Sequence, residues 1–193
     1  MKKENNTVWS FEMDNVNEWA YANNLFTQEE CKKIIDYGNT KFSENGVPKN
    51  LENFRDSKIS WLYPCEEINW VYNKISSIVL DMNSKYFNFE LYGFIEGFQF
   101  TKYEAPSGYY GMHMDKIFNG SVRKLSLTIQ LSDPTEYSGG DLNLYLGGTN
   151  PVTIEKSQGY MAVFPSYILH EVKPVTEGTR YSLVAWLTGK NFK

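Results

Sequence analysis

The sequence predicts an α+β protein that is mainly β, with two N-terminal helices packed outside a β-sandwich or barrel. Two stretches with the period of an amphipathic helix lie before residue 87. After residue 88, short β-rich runs alternate with turn signals at intervals of about eight to twelve residues, as in sandwiches and barrels. The 193-residue chain has 41% hydrophobic and 16% aromatic residues, enough to fill one large core.

The N-terminal region is predicted to contain a surface arm and a short helix. Residues 1–24 are polar and aromatic without a clear period, which favours an arm or a first strand laid on the surface. Thr27 and Glu30 then have the spacing of a capping box, and Gly38 supplies a C-terminal stop. The apolar face of this helix is formed by Cys31, Ile34 and Ile35.

A loop, a strand and a second helix are predicted to follow. Residues 39–54 are rich in Asn, Gly, Pro and Lys, which favours a surface loop, and residues 55–64 read as a strand ended by Pro64. Apolar residues then recur at alternating steps of four and three over residues 67–86, which predicts a helix with one buried stripe. That stripe consists of Val71, Ile75, Ile78, Val79, Met82 and Tyr86.

The C-terminal half is predicted to supply the strands of the core. The β-rich runs cover residues 89–103, 121–133, 141–148, 151–156, 159–166 and 178–189. We expect a single domain over residues 1–193, in which residues 1–88 contain the arm, the helices and the first barrel strand. Residues 89–190 are expected to form the β core.

Charge and cysteine usage restrict the partners and the compartment. The net charge of −4 and the pI near 5.3 argue against binding of a phosphate backbone, which requires clustered Lys and Arg. Cys31 and Cys65 are far apart and form no metal-binding or disulfide spacing. No segment approaches the roughly 20 apolar residues of a membrane span. We therefore expect a cytoplasmic protein with no nucleic-acid or membrane partner.

The segment Gly111–Asp115, GMHMD, holds one of the two histidines of the chain. On an extended segment, side chains two positions apart point the same way, so His113 and Asp115 can converge on one point. Met112 and Met114 point the other way and are predicted to pack behind the strand.

The only other histidine is His170, which can supply a third ligand. Two histidines and one carboxylate with open positions opposite them form the facial triad of non-haem Fe(II) oxygenases. The alternative is that both histidines are partly exposed residues without a chemical role, because His-x-Asp by itself is a short pattern.

A charged residue on an apolar strand strengthens the metal hypothesis. One face of the strand GTRYSLVAWLTG carries Arg180, Ser182, Val184 and Trp186. A buried guanidinium must find an anion, and its planar fork suits a carboxylate. An internal salt bridge or an exposed strand end would also explain Arg180.

Several segments of the sequence resemble one known family. They are LFTQEECKKII, FQFTKYEAPSGYYGMHMD, RKLSLTIQLSD, YSGGDLNLY and GYMAVFPSYILHEVKPVTEGTRYSLVAW. They are similar to the Fe(II)- and 2-oxoglutarate-dependent dioxygenases, and within these to the prolyl 4-hydroxylase-like branch with its bacterial and viral peptidyl hydroxylases. The last segment is the most specific, because its Phe-Pro-Ser, His, Pro-Val and Gly-x-Arg elements keep the family's order and spacing. The resemblance implies a double-stranded β-helix, a jelly-roll or cupin-like barrel supported by N-terminal helices.

The resemblance assigns roles to the four central residues. It implies that His113, Asp115 and His170 bind Fe(II). It also implies that Arg180 binds the distal carboxylate of 2-oxoglutarate and acts with the ligands in catalysis. The carboxylate of Asp115 favours hydroxylation over halogenation, because related halogenases lack it.

Four further residues are candidates for contact with the co-substrate. The resemblance implies a hydrogen bond from Tyr103, an Arg-x-Ser pattern completed by Ser182, and a pocket-lining aromatic at Trp186. Gln130 stands where well-studied relatives have a tyrosine. Tyr103 and Trp186 are explained equally well as core aromatics.

Other polar positions near these motifs have more than one interpretation. The two glycines of YSGGD are predicted to supply positive φ in a turn. Asp141 and Asn143 alternate with apolar neighbours and could face the pocket. Arg123 and Lys124 are predicted to lie at a solvated strand start, with substrate contact as the alternative.

The implied function is hydroxylation of a C–H bond, with 2-oxoglutarate and O2 consumed and succinate and CO2 released. The leading substrate is a prolyl residue in a peptide or protein, and ascorbate is a further cofactor candidate. The alternatives are a hydroxylase of a free amino acid or other small molecule, and a non-catalytic metal-binding or sensing module. A demethylase of nucleic acid is disfavoured by the acidic charge and by the lack of a second arginine near Arg180.

Overall fold

Two antiparallel β-sheets and two helices make up the computed structural model, which describes residues 16–45, 47–48 and 54–191. The helices are α1 Gln28–Asn45 and α2 Asn69–Met82, and a π-helical turn, Asn83–Phe87, follows α2. The strands are β1 Ala20–Ala22, β2 Val47–Pro48, β3 Arg55–Asp56, β4 Lys58–Leu62, β5 Leu91–Gly93, β6 Phe98–Glu104, β7 Tyr109–His113, β8 Ile117–Phe118, β9 Ser121–Gln130, β10 Tyr137–Gly139, β11 Leu142–Tyr145, β12 Val152–Thr153, β13 Met161–Pro165, β14 Leu169–Val172 and β15 Val175–Gly189.

The strands form a large sheet and a small sheet. The large sheet has the order β1-β13-β9-β15-β6-β4-β2, with β5 and β10 paired to β15 and β8 paired to β9. The small sheet has the order β12-β11-β14-β7-β3. The chain crosses repeatedly between the two sheets as it passes from β6 to β15. This winding is the double-stranded β-helix that the family resemblance implies, and the predicted fold class is confirmed.

The alternation of side chains along β15 separates the helix-packed core from the interior of the barrel. Leu183, Ala185 and Leu187 are buried in the cluster that also contains the apolar faces of α1 and α2. Arg180 and Ser182 point the other way, into a cavity between the two sheets. The helices therefore cover the outside of the large sheet, and its inner face is left for the site.

The first helix begins as predicted. The backbone N–H of Thr27 donates to Glu30 Oε2 at 2.8 Å, and the backbone N–H of Glu30 lies 3.2 Å from Thr27 Oγ1. These two reciprocal bonds are a capping box, and α1 starts at the next residue, Gln28.

The predicted end of this helix at Gly38 is wrong. α1 continues to Asn45, so the first part of the loop predicted for residues 39–54 is helical. A Cβ at Gly38 would lie 2.4 Å from the ring of Phe100, so glycine is needed for the close approach of α1 to the large sheet. Residues 46 and 49–53 of the predicted loop lie outside the described residues.

The second helix is shorter than the sequence predicts, although most of its buried stripe is confirmed. The buried residues of α2 are Val71, Ile75, Val79 and Met82. Ile78 packs partly buried against the same cluster. Tyr86 is 38% exposed, because the π-helical turn after α2 changes the residues per turn and rotates this position out of the stripe.

The remaining strand predictions agree in position with β3–β6, β9, β11–β13 and β15, and Pro64 follows the end of β4. Within residues 1–24, β1 pairs with β13 and forms one edge of the large sheet, and residues 1–15 lie outside the described part. The sequence predicts no strand at the short β8, β10 and β14 or at β2, which falls within the predicted loop, and it predicts β7 only as an extended segment. That residues 1–193 form one domain stays a prediction. Among the described residues, neither helix has the length and apolarity needed to cross a membrane.

Candidate active site

Three potential metal ligands lie close together on and beside the small sheet. His113 ends β7, Asp115 follows two residues later, and His170 of β14 lies directly opposite His113 in the strand register. Asp115 Oδ1 is 3.7 Å from His113 Nε2, and Asp115 Oδ2 is 3.4 Å from His170 Nε2. The ligand atoms all lie within 4.8 Å of one another, so the fold brings together the three predicted residues.

Backbone carbonyls fix both imidazole rings. His113 Nδ1 is 2.7 Å from the carbonyl of Gly111, and His170 Nδ1 is 2.9 Å from that of Ile168. A carbonyl only accepts, so each Nδ1 carries the proton and each Nε2 presents a lone pair. Burial lowers the pKa of His113 to about 4, with a further contribution from His170. The ring of Tyr110 stacks on His113 with centroids 3.6 Å apart.

The carboxylate of Asp115 is buried and held by two serines. Its backbone N–H donates to the carbonyl of Ser166 at 2.9 Å, and Ser126 Oγ donates to Oδ2 at 2.9 Å. Burial opposes ionisation of the carboxyl, but the proximity of His170 and His113 holds the pKa of Asp115 below its ordinary value. The group is therefore a carboxylate at neutral pH.

The donor set fits a divalent transition metal. Two imidazole nitrogens and one carboxylate converge with no proton between them, which is an unfavourable arrangement unless a cation accepts their lone pairs. A cavity of about 240 Å³ borders all three residues. The arrangement therefore leaves room for further ligands on the open side, as a facial triad requires.

Arg180 lies on the large-sheet side of the same cavity and is 1% exposed. Its Nη2 donates to Gln130 Oε1 at 2.9 Å, and its guanidinium carbon lies 5.3 Å from the ring centre of Tyr103. Nε and Nη1 have no hydrogen-bond partner, and no carboxylate pairs with this guanidinium among the residues described. An internal salt bridge and an exposed strand end, the two alternatives for Arg180, are therefore both wrong.

The other predicted contacts lie around Arg180. Tyr103, Ser182 and Trp186 line the cavity. Gln130 contributes to the site by accepting a hydrogen bond from Arg180. Tyr103 and Trp186 are only 3% and 6% exposed, so each is both a core aromatic and a wall of the cavity.

The turn before β11 supports Arg180. Gly139 and Gly140 have φ values of 73° and 66°, which confirms the predicted positive φ. A Cβ at Gly140 would lie 2.9 Å from Arg180 Cδ, so this glycine also makes room for the side chain. Asp141 instead pairs with a lysine, and Asn143 accepts a hydrogen bond from a threonine, so neither lines the cavity.

The prediction of a solvated strand start at Arg123 and Lys124 is wrong, since they are 8% and 5% exposed. Arg123 makes two hydrogen bonds to Glu96, at 2.8 and 2.5 Å. Its guanidinium carbon lies 3.8 Å from the ring centre of Trp186, and its Nη1 is 4.0 Å from Asp115 Oδ1. Arg123 thus lines the cavity with its charge paired.

Sequence reasoning missed Arg55, which reaches the same cavity from β3. It is 7% exposed, its Nε donates to Ser57 Oγ at 2.7 Å, and its guanidinium carbon lies 4.2 Å from the ring centre of Tyr110. A second arginine is therefore present near Arg180, contrary to the sequence-based argument. The one available signal was an Arg-x-Ser pair at the start of a predicted strand, with both side chains on one face.

Comparison with known proteins identifies the family. The model of the 2OG-Fe(II) oxygenase superfamily matches residues 98–188, which run from β6 into β15 and include all four central residues. A PKHD-type hydroxylase of Prochlorococcus marinus (strain MIT 9211) is 35% identical over 177 residues, covering 84% of this chain and 75% of that protein. The chain belongs to the 2OG-Fe(II) oxygenase superfamily. Membership implies Fe(II), 2-oxoglutarate and O2, which the His-Asp-His cluster fits.

A second relative in sequence and a solved structure in fold are also similar to this chain. A PKHD-type hydroxylase of Sphingopyxis alaskensis is 35% identical over 124 residues. The aligned region covers 60% of this chain and 56% of that protein, so the match extends over little more than half of the relative's length. The fold matches a prolyl hydroxylase from Trichoplax adhaerens, solved with a peptide fragment of a hypoxia inducible factor oxygen degradation domain. The TM-score is 0.74 at 21% identity, over 90% of this chain and 84% of that one. The predicted resemblance to the prolyl 4-hydroxylase-like branch is confirmed.

Proposed function

We propose that this chain is an Fe(II)- and 2-oxoglutarate-dependent dioxygenase that hydroxylates a C–H bond. The observation that carries the proposal is the unpaired, buried guanidinium of Arg180 in the cavity that also holds three converging metal ligands. A metal site alone needs no such cation, whereas a dianionic co-substrate does.

In this proposal His113, Asp115 and His170 hold the iron. Bound Fe(II), together with 2-oxoglutarate and O2, supplies the oxidising power for hydroxylation, and succinate and CO2 are released. The two Nδ1–H groups keep the imidazoles oriented, and Ser126 keeps the carboxylate facing them.

The large sheet would bind and orient the co-substrate. Arg180 neutralises its distal carboxylate, and the hydrogen bond from Arg180 to Gln130 fixes the plane of the guanidinium. Tyr103 and Ser182 stand beside it as further donors. Apolar walls exclude water from the reacting groups; they are Leu142, Phe164, Val172 and Trp186.

The leading substrate is a prolyl residue in a peptide or protein. The names of the PKHD-type relatives and the peptide bound in the Trichoplax structure support this choice. A free amino acid or another small molecule is the alternative. Mass spectrometry after incubation with prolyl peptides, intact proteins and free amino acids tests the choice. One added oxygen atom on a prolyl peptide supports the proposal, whereas oxidation confined to free amino acids contradicts it.

An anaerobic titration tests the activity itself. Adding Fe(II) and then 2-oxoglutarate should produce a weak visible charge-transfer band, and admission of air should produce succinate. Arg180→Gln should weaken 2-oxoglutarate binding by at least about tenfold, because a charge-assisted hydrogen bond is lost. Lys102→Gln is the matched control, since Lys102 sits on the neighbouring β6 and is paired with Glu104.

Two outcomes would overturn this assignment. Neither a band nor succinate with wild-type protein would leave the non-catalytic metal-binding module. Equal 2-oxoglutarate affinity in wild type and a folded Arg180→Gln variant would remove the role given to Arg180. Arg180→Lys, which keeps the charge, serves if the glutamine variant does not fold.

A further inference from the structure

Arg55 is a second buried cation in the cavity, and the proposed chemistry does not use it. Its Nη2 is buried without a hydrogen-bond partner, and no ion pair to this guanidinium occurs within the described ranges. Its Nε donates a hydrogen bond to Ser57 Oγ, and the guanidinium also contacts Tyr110, a neutral phenol that supplies no counter-charge. A guanidinium that is 93% buried and lacks a counter-anion is costly, so a function that keeps it there must supply an anion.

The other two arginines of the cavity are accounted for. Arg123 is paired with Glu96, so its charge is already neutralised. Arg180 enters from β15 of the large sheet and is assigned to 2-oxoglutarate. Arg55 enters from β3 of the small sheet, on the side of His113 and Tyr110. The two ends of 2-oxoglutarate are taken by the metal and Arg180, which leaves Arg55 for the second ligand of the cavity.

A stack of three groups holds the Arg55 guanidinium in place. Its central carbon lies 4.2 Å from the ring centre of Tyr110. The rings of Tyr110 and His113 are stacked, with centroids 3.6 Å apart and an interplanar angle of 19°. Ser57 fixes the rotation of the guanidinium through Nε. An anion on Arg55 would therefore be positioned one aromatic ring away from a metal ligand, close to where a substrate carbon must lie.

We propose that Arg55 binds a carboxylate of the molecule that is hydroxylated. The inference rests on the proposed function and deepens it by naming the substrate class, which is amino-acid-derived with a carboxylate near the reacting carbon. The planar fork of a guanidinium matches the geometry of a carboxylate. A bound carboxylate would neutralise the positive charge of Arg55. The carboxylate has two sources, a free or C-terminal α-carboxylate and the side chain of an acidic residue beside the reacting residue.

Binding without turnover tests the proposal. Calorimetric titrations use full-length protein loaded with Zn(II) and 2-oxoglutarate, so no oxidation occurs. In the first arm N-acetyl-L-proline is compared with N-acetyl-L-prolinamide. In the second arm N-acetyl-prolyl-aspartyl amide is compared with its asparaginyl counterpart. We expect one acid to bind at least about tenfold more tightly than its neutral partner, as for one charge-assisted hydrogen bond. The arm that shows the preference identifies the source of the carboxylate.

Variants of Arg55 assign the preference to this residue. Arg55→Gln should abolish the preference of acid over amide, and Arg55→Lys should keep part of it because the charge remains. Lys58→Gln is the matched control, since Lys58 lies nearby on β4 but faces the ring of Phe42, and it should keep the full preference.

Three results would overturn the proposal. They are no preference in either arm with wild type, a preference that survives in Arg55→Gln, and a loss of 2-oxoglutarate binding alone in that variant. The wild-type comparison decides even if Arg55→Gln does not fold. Failure of the proposed function is seen separately, as absence of succinate from wild-type protein in air.

Discussion

At the scale of single residues, the candidate iron site depends on the groups behind its ligands. Each histidine is oriented by a carbonyl two residues earlier in its own strand segment, so its orientation is local to the sequence. Asp115 is held by Ser126 of β9 and by Ser166, which directly follows β13. The first kind of support follows from the motif, and the second requires the barrel to be formed.

Removal of the Ser126 hydroxyl should weaken the metal site. Ser126→Ala deletes the 2.9 Å hydrogen bond to Asp115 Oδ2, and such outer contacts typically change metal affinity by about 10- to 100-fold. Competition with a chromophoric chelator measures the affinity for Fe(II) under anaerobic conditions. Ser60→Ala is the control, because Ser60 is also fully buried but makes no hydrogen bond through Oγ. Equal affinities in the two variants would contradict this role of Ser126.

Residue pattern predicted which side chains share a face but not which face is covered. His113 and Asp115 converge as strand alternation requires. Met112 and Met114 were expected to be packed, yet they are 55% and 48% exposed, because the helices pack on the large sheet and not behind β7. The prediction for Arg123 was wrong in the opposite sense. It was expected to be solvated, but Glu96 and Trp186 from other parts of the chain cover it.

At the scale of elements, the helices are positioned by contacts that override local signals. Gly38 is a helix-ending residue by propensity, but it lies within α1 because Phe100 occupies the space where a side chain would be. Gly38 therefore serves a tertiary contact within the helix and does not act as a local stop signal.

Gly38→Ala should destabilise the protein even though alanine is the better helix former. The new methyl group would overlap the Phe100 ring, at a cost of about 1–3 kcal/mol that exceeds the gain in propensity of roughly 1 kcal/mol or less. Asn39→Ala, at the next and exposed position, should instead stabilise by a few tenths of a kcal/mol. Chemical denaturation measures both values. A Gly38→Ala variant as stable as Asn39→Ala would show that α1 can move away from the sheet.

The start of α1 should make stability depend on pH. Glu30 caps the helix and bonds Lys74 of α2 at 2.8 Å, and this contact with Lys74 is the main reason that its pKa lies below the ordinary 4.5. A folded pKa below the unfolded one stabilises fully above about pH 4.5 and loses that stabilisation as the pH falls through the folded value.

Glu30→Gln should therefore cost roughly 0.5–1 kcal/mol at pH 7, and the difference from wild type should shrink at pH 3. Urea denaturation at the two pH values measures it. Glu66→Gln, at an exposed position, should show no difference at either pH. A cost for Glu30→Gln that stays constant between pH 7 and pH 3 would mean that the charge of Glu30 is not the cause.

At the scale of the whole molecule, the site joins the two sheets. The histidines belong to the small sheet, whereas the groups that hold Asp115 and the cation Arg180 belong to the large sheet or its turns. A ligand bound between them would resist separation of the sheets, because it binds only to the folded arrangement.

Binding of the metal, followed by binding of the co-substrate, should stabilise the folded protein in two steps. A divalent metal at about 100 times its dissociation constant adds about 2.7 kcal/mol, and 2-oxoglutarate should add to it only when the metal is present. Differential scanning fluorimetry with Mn(II), before and after a chelator, measures the shift. Asp115→Ala should abolish it, while the exposed Asp81→Ala should keep it. A shift retained in Asp115→Ala would place the metal elsewhere.

Local sequence patterns are sufficient to predict the class of fold, most of the buried stripe of α2, the capping box, and the convergence of His113 and Asp115. These features depend on the period of a helix or strand and on contacts a few residues apart, so they are visible in one dimension. Only the tertiary structure shows that Arg180 has no counter-ion within the described part of the chain and that Arg55 and Arg123 enter its cavity. These are contacts between sheets and between remote strands, and their partners are fixed only when the two sheets close on each other.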